Sequence, residues 1–294
     1  NVTNASLTVE REIVAVGKSE DRGGGRIMNI IKVDPEPVVS ATLDATVCSD
    51  QAVNLVLATN GTSVAALNYN IVSRTVAGGL TPVTQVVVPQ ASVAANYLQT
   101  EVYRNTSNAS LTVQYVVEAT GTINNCLGDQ RTITITVAPE PVISPSLDAS
   151  VCSDNIVNLV LNTNGTSVAA ANYNIVSRTV AGGLTPVTQQ PVPVNGVAAA
   201  YLQNEVYRNT TNGSLTVQYV VEATGTINAC LGDQRSITIT LPPEPIVSTT
   251  LNAAVCSDEV VGLVLNTESG SLGAASYNIV SRTLAGDRTP VNQV

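Results

Sequence analysis

The sequence has no His, no Trp and no Phe. Without His there is no Ser-His-Asp or Cys-His nucleophile pair, no His-ligated zinc and no imidazole acid/base near neutral pH. Charged residues make up only 12%, and the formal net charge is −9. That balance excludes the basic face a nucleic-acid partner needs. Lys18 and Lys32 are the only lysines, so Lys–Asn isopeptide cross-links are impossible from residue 35 onward. No apolar run approaches the roughly 18 residues of a membrane-crossing helix, so no membrane insertion is expected. The chain opens on Asn1, with no basic segment leading into an apolar one. It therefore reads as a processed product or as part of something longer. Paired carboxylates of assignable role are also missing. We expect no enzyme, no catalytic residue, no cofactor and no metal site.

What is present is a repeat. Cys48, Cys152 and Cys256 are spaced by 104 residues, as are Cys126 and Cys230 and the Pro-Glu-Pro triplets beginning at Pro35, Pro139 and Pro243. Residues 35–138 overlay 139–242 without a gap, and 83 of the 104 positions are identical. Residues 1–34 align onto 105–138, with 12 identities, and residues 243–294 align onto 35–86. The organisation is thus two whole repeats, 35–138 and 139–242, between two incomplete ones. Residues 1–34 are the C-terminal part of a repeat and residues 243–294 the N-terminal part; only the counterparts of 87–104 are lacking.

A period of 104 residues far exceeds a solenoid unit and matches the roughly 100 residues of an Ig-like sandwich. Hydrophobic residues reach 44%, enough for a core in each small domain. Period-2 alternation marks seven strands in the first repeat, near 38–43, 53–58, 68–76, 81–88, 95–104, 111–119 and 131–137. The last, RTITITV, alternates strictly between Ile133, Ile135, Val137 and the intervening threonines. Asn60-Gly61, Gly78-Gly79 and Gly121 supply turns. No segment carries a stripe of helical period. The expected fold is all-β: tandem Ig-like seven-stranded antiparallel β-sandwiches. Because proline fixes φ and favours extended backbone, the recurring Pro-Glu-Pro reads as a stiff connector, and the array as a rod.

Five cysteines in an acidic all-β chain suggest an oxidising setting. No CxxC pair occurs, and the spacing fits neither zinc nor iron–sulfur ligation. Disulfides are the better account, with three connectivities open. Pairing within repeats gives Cys48–Cys126 and Cys152–Cys230, leaving Cys256 unpaired. Pairing across junctions gives Cys126–Cys152 and Cys230–Cys256, leaving Cys48 alone because Arg22 stands at the matching site. In the third, Cys48 meets Cys230 of the next repeat, since the two cysteine positions of one sandwich lie at opposite poles. A disulfide needs Cα atoms within about 7 Å. Residue arithmetic favours pairing within repeats, and Cys48–Cys230 is its rival.

Asn1, Asn4, Asn60, Asn105, Asn108, Asn164, Asn209 and Asn212 each begin an Asn-x-Ser/Thr triplet and are candidate glycosylation acceptors in loops. A chain rich in Asn and Thr also produces such triplets by chance. The acids Glu36, Asp44, Asp50, Glu101, Glu118 and Asp129 lack D-x-D-x-D spacing and read as solvated surface groups, ahead of weak calcium binding at a domain junction. Tyr69, Tyr97, Tyr103 and Tyr115 read first as core residues standing in for Phe and Trp, and second as a sugar-stacking platform.

Several motifs carry a family resemblance: VCSD before a Val/Leu strand, then a Tyr-Val-Val strand, then C-x-G-D-Q-R-[TS]-I-T-I-T. Together they resemble the Ig-like and PKD-like repeats of very large secreted or cell-surface proteins of Bacteroidetes, among them gliding adhesins and type IX secretion cargo. The resemblance implies an extracellular or cell-surface location and an adhesive or scaffolding role. It supplies no ligand. Residues 10–34 depart from the pattern, with Arg22 for the cysteine and IMNIIKV for RTITITV. The function expected is a structural segment of an extracellular fibre or adhesin stalk, continuing as a rod or joining copies of itself head-to-tail. The alternative is a carbohydrate-binding or adhesive module with surface glycans as partners.

Overall fold

The computed structural model describes residues 1–16 and 23–283. All regular elements among them are strands. The chain divides into two compact units. The first comprises Asn1–Val142, Gly165–Ala169 and Gly225–Leu231, and the second comprises Ile143–Asn164, Ala170–Thr224 and Gly232–Val294.

In the first unit a hairpin, β1 (Leu7–Val16) and β2 (Gly23–Val33), precedes the first whole repeat. That repeat holds β3 (Ala45–Cys48), β4 (Ala66–Val76), β5 (Thr81–Thr84), β6 (Gln90–Val93), β7 (Val102–Arg104), β8 (Leu111–Gly121) and β9 (Arg131–Ala138). One sheet runs β3-β9-β8-β4-β6, and β5-β7 form a second. Seven strands form, but not the seven expected: 38–43 has only the Val39–Thr59 bridge, 53–58 is no strand, and β3 and β6 lie outside the expected spans; nor are all pairs antiparallel. β3 runs parallel to β9, with Ala45 opposite Ile135 and Cys48 opposite Ala138.

Alternation explains the long strands. Val113, Tyr115, Val117 and Ala119 on β8, and Ile133, Ile135 and Val137 on β9, are all fully buried. Burying each large apolar side chain contributes about 1.5–3 kcal/mol. The facing layer includes Val53, Leu55 and Leu57, again every second residue. The expected strand 53–58 nevertheless joins no ladder of its own. Its N–H groups instead donate to 95–101: Val53 to the Glu101 carbonyl at 2.8 Å, Asn54 to Gln99 at 3.0 Å and Leu57 to Ala95 at 2.8 Å. Residues 94–101 coil into successive turns, closed by Tyr97 N–H to Ala94, Gln99 N–H to Asn96 and Glu101 N–H to Leu98. This interrupts the strand expected over 95–104 and drops Leu98 into the core.

The second unit contains β10 (Ala149–Ser150), β11 (Ala170–Val180), β12 (Leu184–Thr188), β13 (Val194–Val197), β14 (Val206–Asn209), β15 (Leu215–Gly225) and β16 (Arg235–Leu241). The order is β10-β16-β15-β11-β13 with a second pair β12-β14. Its core repeats the first at equivalent positions, from Leu159 and Leu161 to Ile237 and Ile239. Residues 243–283, which follow, form no strand; an isolated bridge joins Val247 and Thr267.

Candidate functional site

The polar centre of each whole repeat is a buried carboxylate. Glu101 precedes β7, is 0% exposed and is held from both sheets. Arg74 on β4 donates Nη1–H to Glu101 Oε1 at 2.5 Å, and the Val86 N–H donates to the same oxygen at 3.1 Å. Tyr103 on β7 donates its hydroxyl to Oε2 at 2.8 Å, and Tyr115 on β8 donates to Oε2 as well. Gln85 Oε1 takes the other Arg74 nitrogen at 3.1 Å. The second repeat rebuilds the cluster: Arg178, Tyr207 and Tyr219 donate to Glu205 at 2.8, 2.7 and 2.5 Å.

Four donors on two oxygens leave this carboxylate saturated. It is therefore a fastening between sheets and offers no acceptor to a substrate. Burial pushes the Tyr103 and Tyr207 hydroxyls up to about 12, with Glu101 and Glu205 adding to the shift. Burial pushes Tyr115 and Tyr219 higher still, again reinforced by the carboxylate. The reading of Glu101 as a solvated acid is corrected here. Tyr69, Tyr103 and Tyr115 are core residues, so they form no stacking platform. Tyr97 is half-buried and donates to the Val87 carbonyl at 2.9 Å.

The acids near the VCSD motif are paired with an arginine in each repeat. Arg104 lies 2.9 Å from Asp50 and 3.7 Å from Glu140. Arg208 lies 2.9 Å from Asp154 and 3.9 Å from Glu244.

The structure corrects the favoured cysteine pairing. Cys48 is bonded to Cys230, with Cα atoms 5.5 Å apart and 182 residues between them in sequence. Cys126, Cys152 and Cys256 are free thiols. The poles explain the result. Cys48 ends β3 beside Ala138, the last residue of β9. Cys126 lies at the other end of its repeat, in the loop between β8 and β9. There the Cys126 carbonyl accepts from the Gly121 N–H at 2.8 Å, and Gly121 stands against Pro37. Gly128 is required in that loop, because a Cβ there would sit 1.9 Å from the Pro37 carbonyl oxygen. Pro-Glu-Pro is thus docked onto the cysteine loop. Pro141 meets Gly225 in the same way, which brings the Cys230 loop to Cys48. Arg22 lies outside the described residues.

Asn60 Oδ1 accepts from the Thr62 and Ser63 N–H groups at 3.1 and 2.9 Å, and three further Asn-x-Ser/Thr triplets are tied through both side-chain atoms. The Asn105 amide nitrogen donates to the Ala109 carbonyl at 3.0 Å and to the Val137 carbonyl at 2.8 Å, while its Oδ1 accepts from Ser107. Asn209 does the same with Gly213, Leu241 and Thr211, and Asn1 with Ala5, Val33 and Thr3. These are Asx turns, closed by the N–H two residues on, with that residue's hydroxyl as a second donor to the same oxygen. Asn105 and Asn209 are fully buried, so neither nitrogen is open to a glycan in the folded domain. Asn4, Asn60, Asn108, Asn164 and Asn212 are exposed.

No protein-family model and no curated protein matches the chain. Among solved structures it is similar to extracellular cadherin domains 3–6 of protocadherin gamma B2, at 12% identity and a TM-score of 0.28, over 80% of this chain and 58% of that one. It is also similar to domains EC1–3 of mouse protocadherin-24, at 10% identity and a TM-score of 0.24, over 80% and 79%. Mouse cadherin-23 EC22–24 matches at 10% identity and a TM-score of 0.26, over 81% and 80%. The chain spans just over half the length of the first of these. Its own sheets, with two seven-strand cores of equivalent residues, make it an all-β protein of tandem Ig-like β-sandwich domains.

Proposed function

We propose that the chain is a structural, non-enzymatic segment of an extracellular fibre or adhesin stalk, whose copies join head-to-tail. One observation carries this reading: residues 1–33 and 243–283 expose the apolar faces that the whole repeats cover. Val9, Ile13, Ile31 and Val33 are exposed on the hairpin, where their counterparts Val113, Val117, Ile135 and Val137 are buried. Val247, Val261, Leu263 and Ile279 are exposed on the other piece, where their counterparts Val39, Val53, Leu55 and Ile71 are buried. The two pieces are complementary parts of one 104-residue repeat, so the surface that fits each is the other's counterpart, carried by a continuing rod or by a second copy. Contacts of this heterologous kind propagate into filaments.

The hairpin already has the required register. Leu7 pairs with Val33 and Val9 with Ile31, as Leu111 pairs with Val137 and Val113 with Ile135. The buried tyrosines remove the platform that the carbohydrate-binding alternative needs. The disulfide suits an oxidising, extracellular location. Electron microscopy of the purified 294-residue chain tests the proposal. Filaments with a domain-length beading are expected; dispersed particles at every concentration would contradict it.

A further inference from the structure

Ahead of β8, two Asn-x-Ser/Thr triplets stand end to end, and the fold gives their asparagines different work. Residues 105–110 read NTSNAS and residues 209–214 read NTTNGS; the hairpin piece repeats the pattern as NVTNAS over 1–6. The first asparagine of each pair fastens the turn. The Ala109 carbonyl takes Asn105 Nδ2–H at 3.0 Å and the Ser107 hydroxyl at 2.9 Å. The Gly213 carbonyl takes Asn209 at 2.9 Å and Thr211 at 3.0 Å, and the Ala5 carbonyl takes Asn1 and Thr3, both at 2.9 Å.

The second asparagine is left on the outside of the closed turn. Asn4, Asn108 and Asn212 are exposed, and their side chains make no hydrogen bond with the described residues. Ser110 and Ser214, two residues on, are also exposed, and their hydroxyls have no partner among the described residues. Ser6 is half-buried and donates to Asp34 at 2.5 Å.

Packing does not account for this asparagine, yet it is kept. Residues 1–34 share only 12 positions with 105–138, and Asn4, Ala5 and Ser6 are three of them. Among the others, Asn1 keeps the turn, while Leu7, Val9, Ile31 and Val33 keep one face of the hairpin. Between the whole repeats, Ser107 becomes Thr211 and Ala109 becomes Gly213, changes that leave both triplets intact. Asn60, also exposed, differs in having a turn of its own to close.

We propose that Asn108 and Asn212, with their counterpart Asn4, are N-glycosylation acceptors spaced by one repeat length, and that Asn105 and Asn209 are not. An Asn-x-Ser/Thr triplet is an acceptor only where its amide reaches solvent. Asn108 and Asn212 meet that condition, whereas Asn105 and Asn209 are 0% exposed and spend Nδ2 on two carbonyls. A saccharide at each interval would hydrate a surface with few charges. The proposal does not depend on head-to-tail joining.

The donor is a saccharide linked through its anomeric carbon to a lipid pyrophosphate, presented by a transferase. Asn108 Nδ2 gives up one proton to a base of that transferase and attacks the anomeric carbon. One N–C bond forms. The C–O bond to phosphate breaks, and the lipid pyrophosphate leaves with its electron pair. No oxidant or reductant is needed.

The test takes the protein from the cells that make it. Its proteolytic peptides are mapped by mass spectrometry with electron-transfer fragmentation, which leaves side-chain sugars in place. The expected result is a saccharide mass on Asn4, Asn108 and Asn212, with Asn105 and Asn209 bare in the same peptides. Ser110→Ala, made in those cells, should strip the sugar from Asn108 and leave Asn212 occupied. Bare Asn108 and Asn212 overturn the proposal, whether or not the chain forms filaments. So does a saccharide on Asn105 or Asn209, or one that stays on Asn108 in the Ser110→Ala chain.

Discussion

Ile31 and Ile135 occupy the same place in the repeat, with opposite surroundings. Each lies on the second strand of its hairpin and faces an equivalent valine, Val9 or Val113. Ile31 is 45% exposed and Ile135 is 0% exposed. The backbone register is therefore a local property of the hairpin, while burial is supplied by the other half of the domain. The opposite piece teaches the converse. Residues 253–256 and 274–283 correspond to β3 and most of β4, whose long partners β9 and β8 are distant in sequence. Without such partners they keep their turns but form no strand. Hairpin pairing needs only a neighbour, whereas cross-domain pairing needs the whole repeat.

The largest test of this contrast is Ile135→Asp against Ile31→Asp. At 135 the charge would be buried without a partner, and the first repeat should fail to fold cooperatively. At 31 the unfolding midpoint of the monomer should move by less than about 0.5 kcal/mol. Equal effects in denaturant titrations would dissolve the contrast. Next is Glu101→Gln, which leaves the Arg74 guanidinium buried without its counter-charge. A loss of about 3–5 kcal/mol is expected, read by the same titration. A change under about 1 kcal/mol would show that the cluster does not fasten the sheets.

Cys48→Ser comes third. It opens a loop of 182 residues and should cost about 2–4 kcal/mol. Thermal unfolding with and without reductant measures it, and reductant should have no further effect on the variant.

The one graded effect is with pH. Tyr103, Tyr115, Tyr207 and Tyr219 hold their protons above the ordinary value of 10.0, so between pH 10 and about 12 the folded state binds more protons than the unfolded one. Stability is full below pH 10 and falls as pH rises through that window, by about 1.4 kcal/mol per pH unit for each withheld proton. The last four of the nine tyrosinates should therefore appear together with loss of the β-sheet signal. All nine forming while the sheets persist would contradict the buried cluster.

Much of this fold is legible in the residues, and the gaps have physical causes. The alternation in β8 and β9 is strict because both strands have one face in the core. Residues 53–58 show the same alternation, and their burial follows it, yet their hydrogen bonds go to a coil of turns that no periodicity reveals. β3 escapes notice because it is four residues long and its parallel partner, β9, lies about 90 residues away. Glu101 looks like any surface acid. The available clue was its place between Leu98 and Tyr103 in a stretch repeated around Glu205. Cysteine connectivity depended on which pole of one repeat meets which pole of the next, and a list of spacings does not contain that.

Amide hydrogen exchange across a concentration series tests the central claim most directly, that the two incomplete pieces complete each other between copies. The amides of residues 253–256 and 274–283 should exchange freely in dilute chain and gain protection as concentration rises, alongside those of β2. The Ile31→Asp chain should show no such gain. Exchange in these segments that stays fast at every concentration of the wild-type chain would contradict the account.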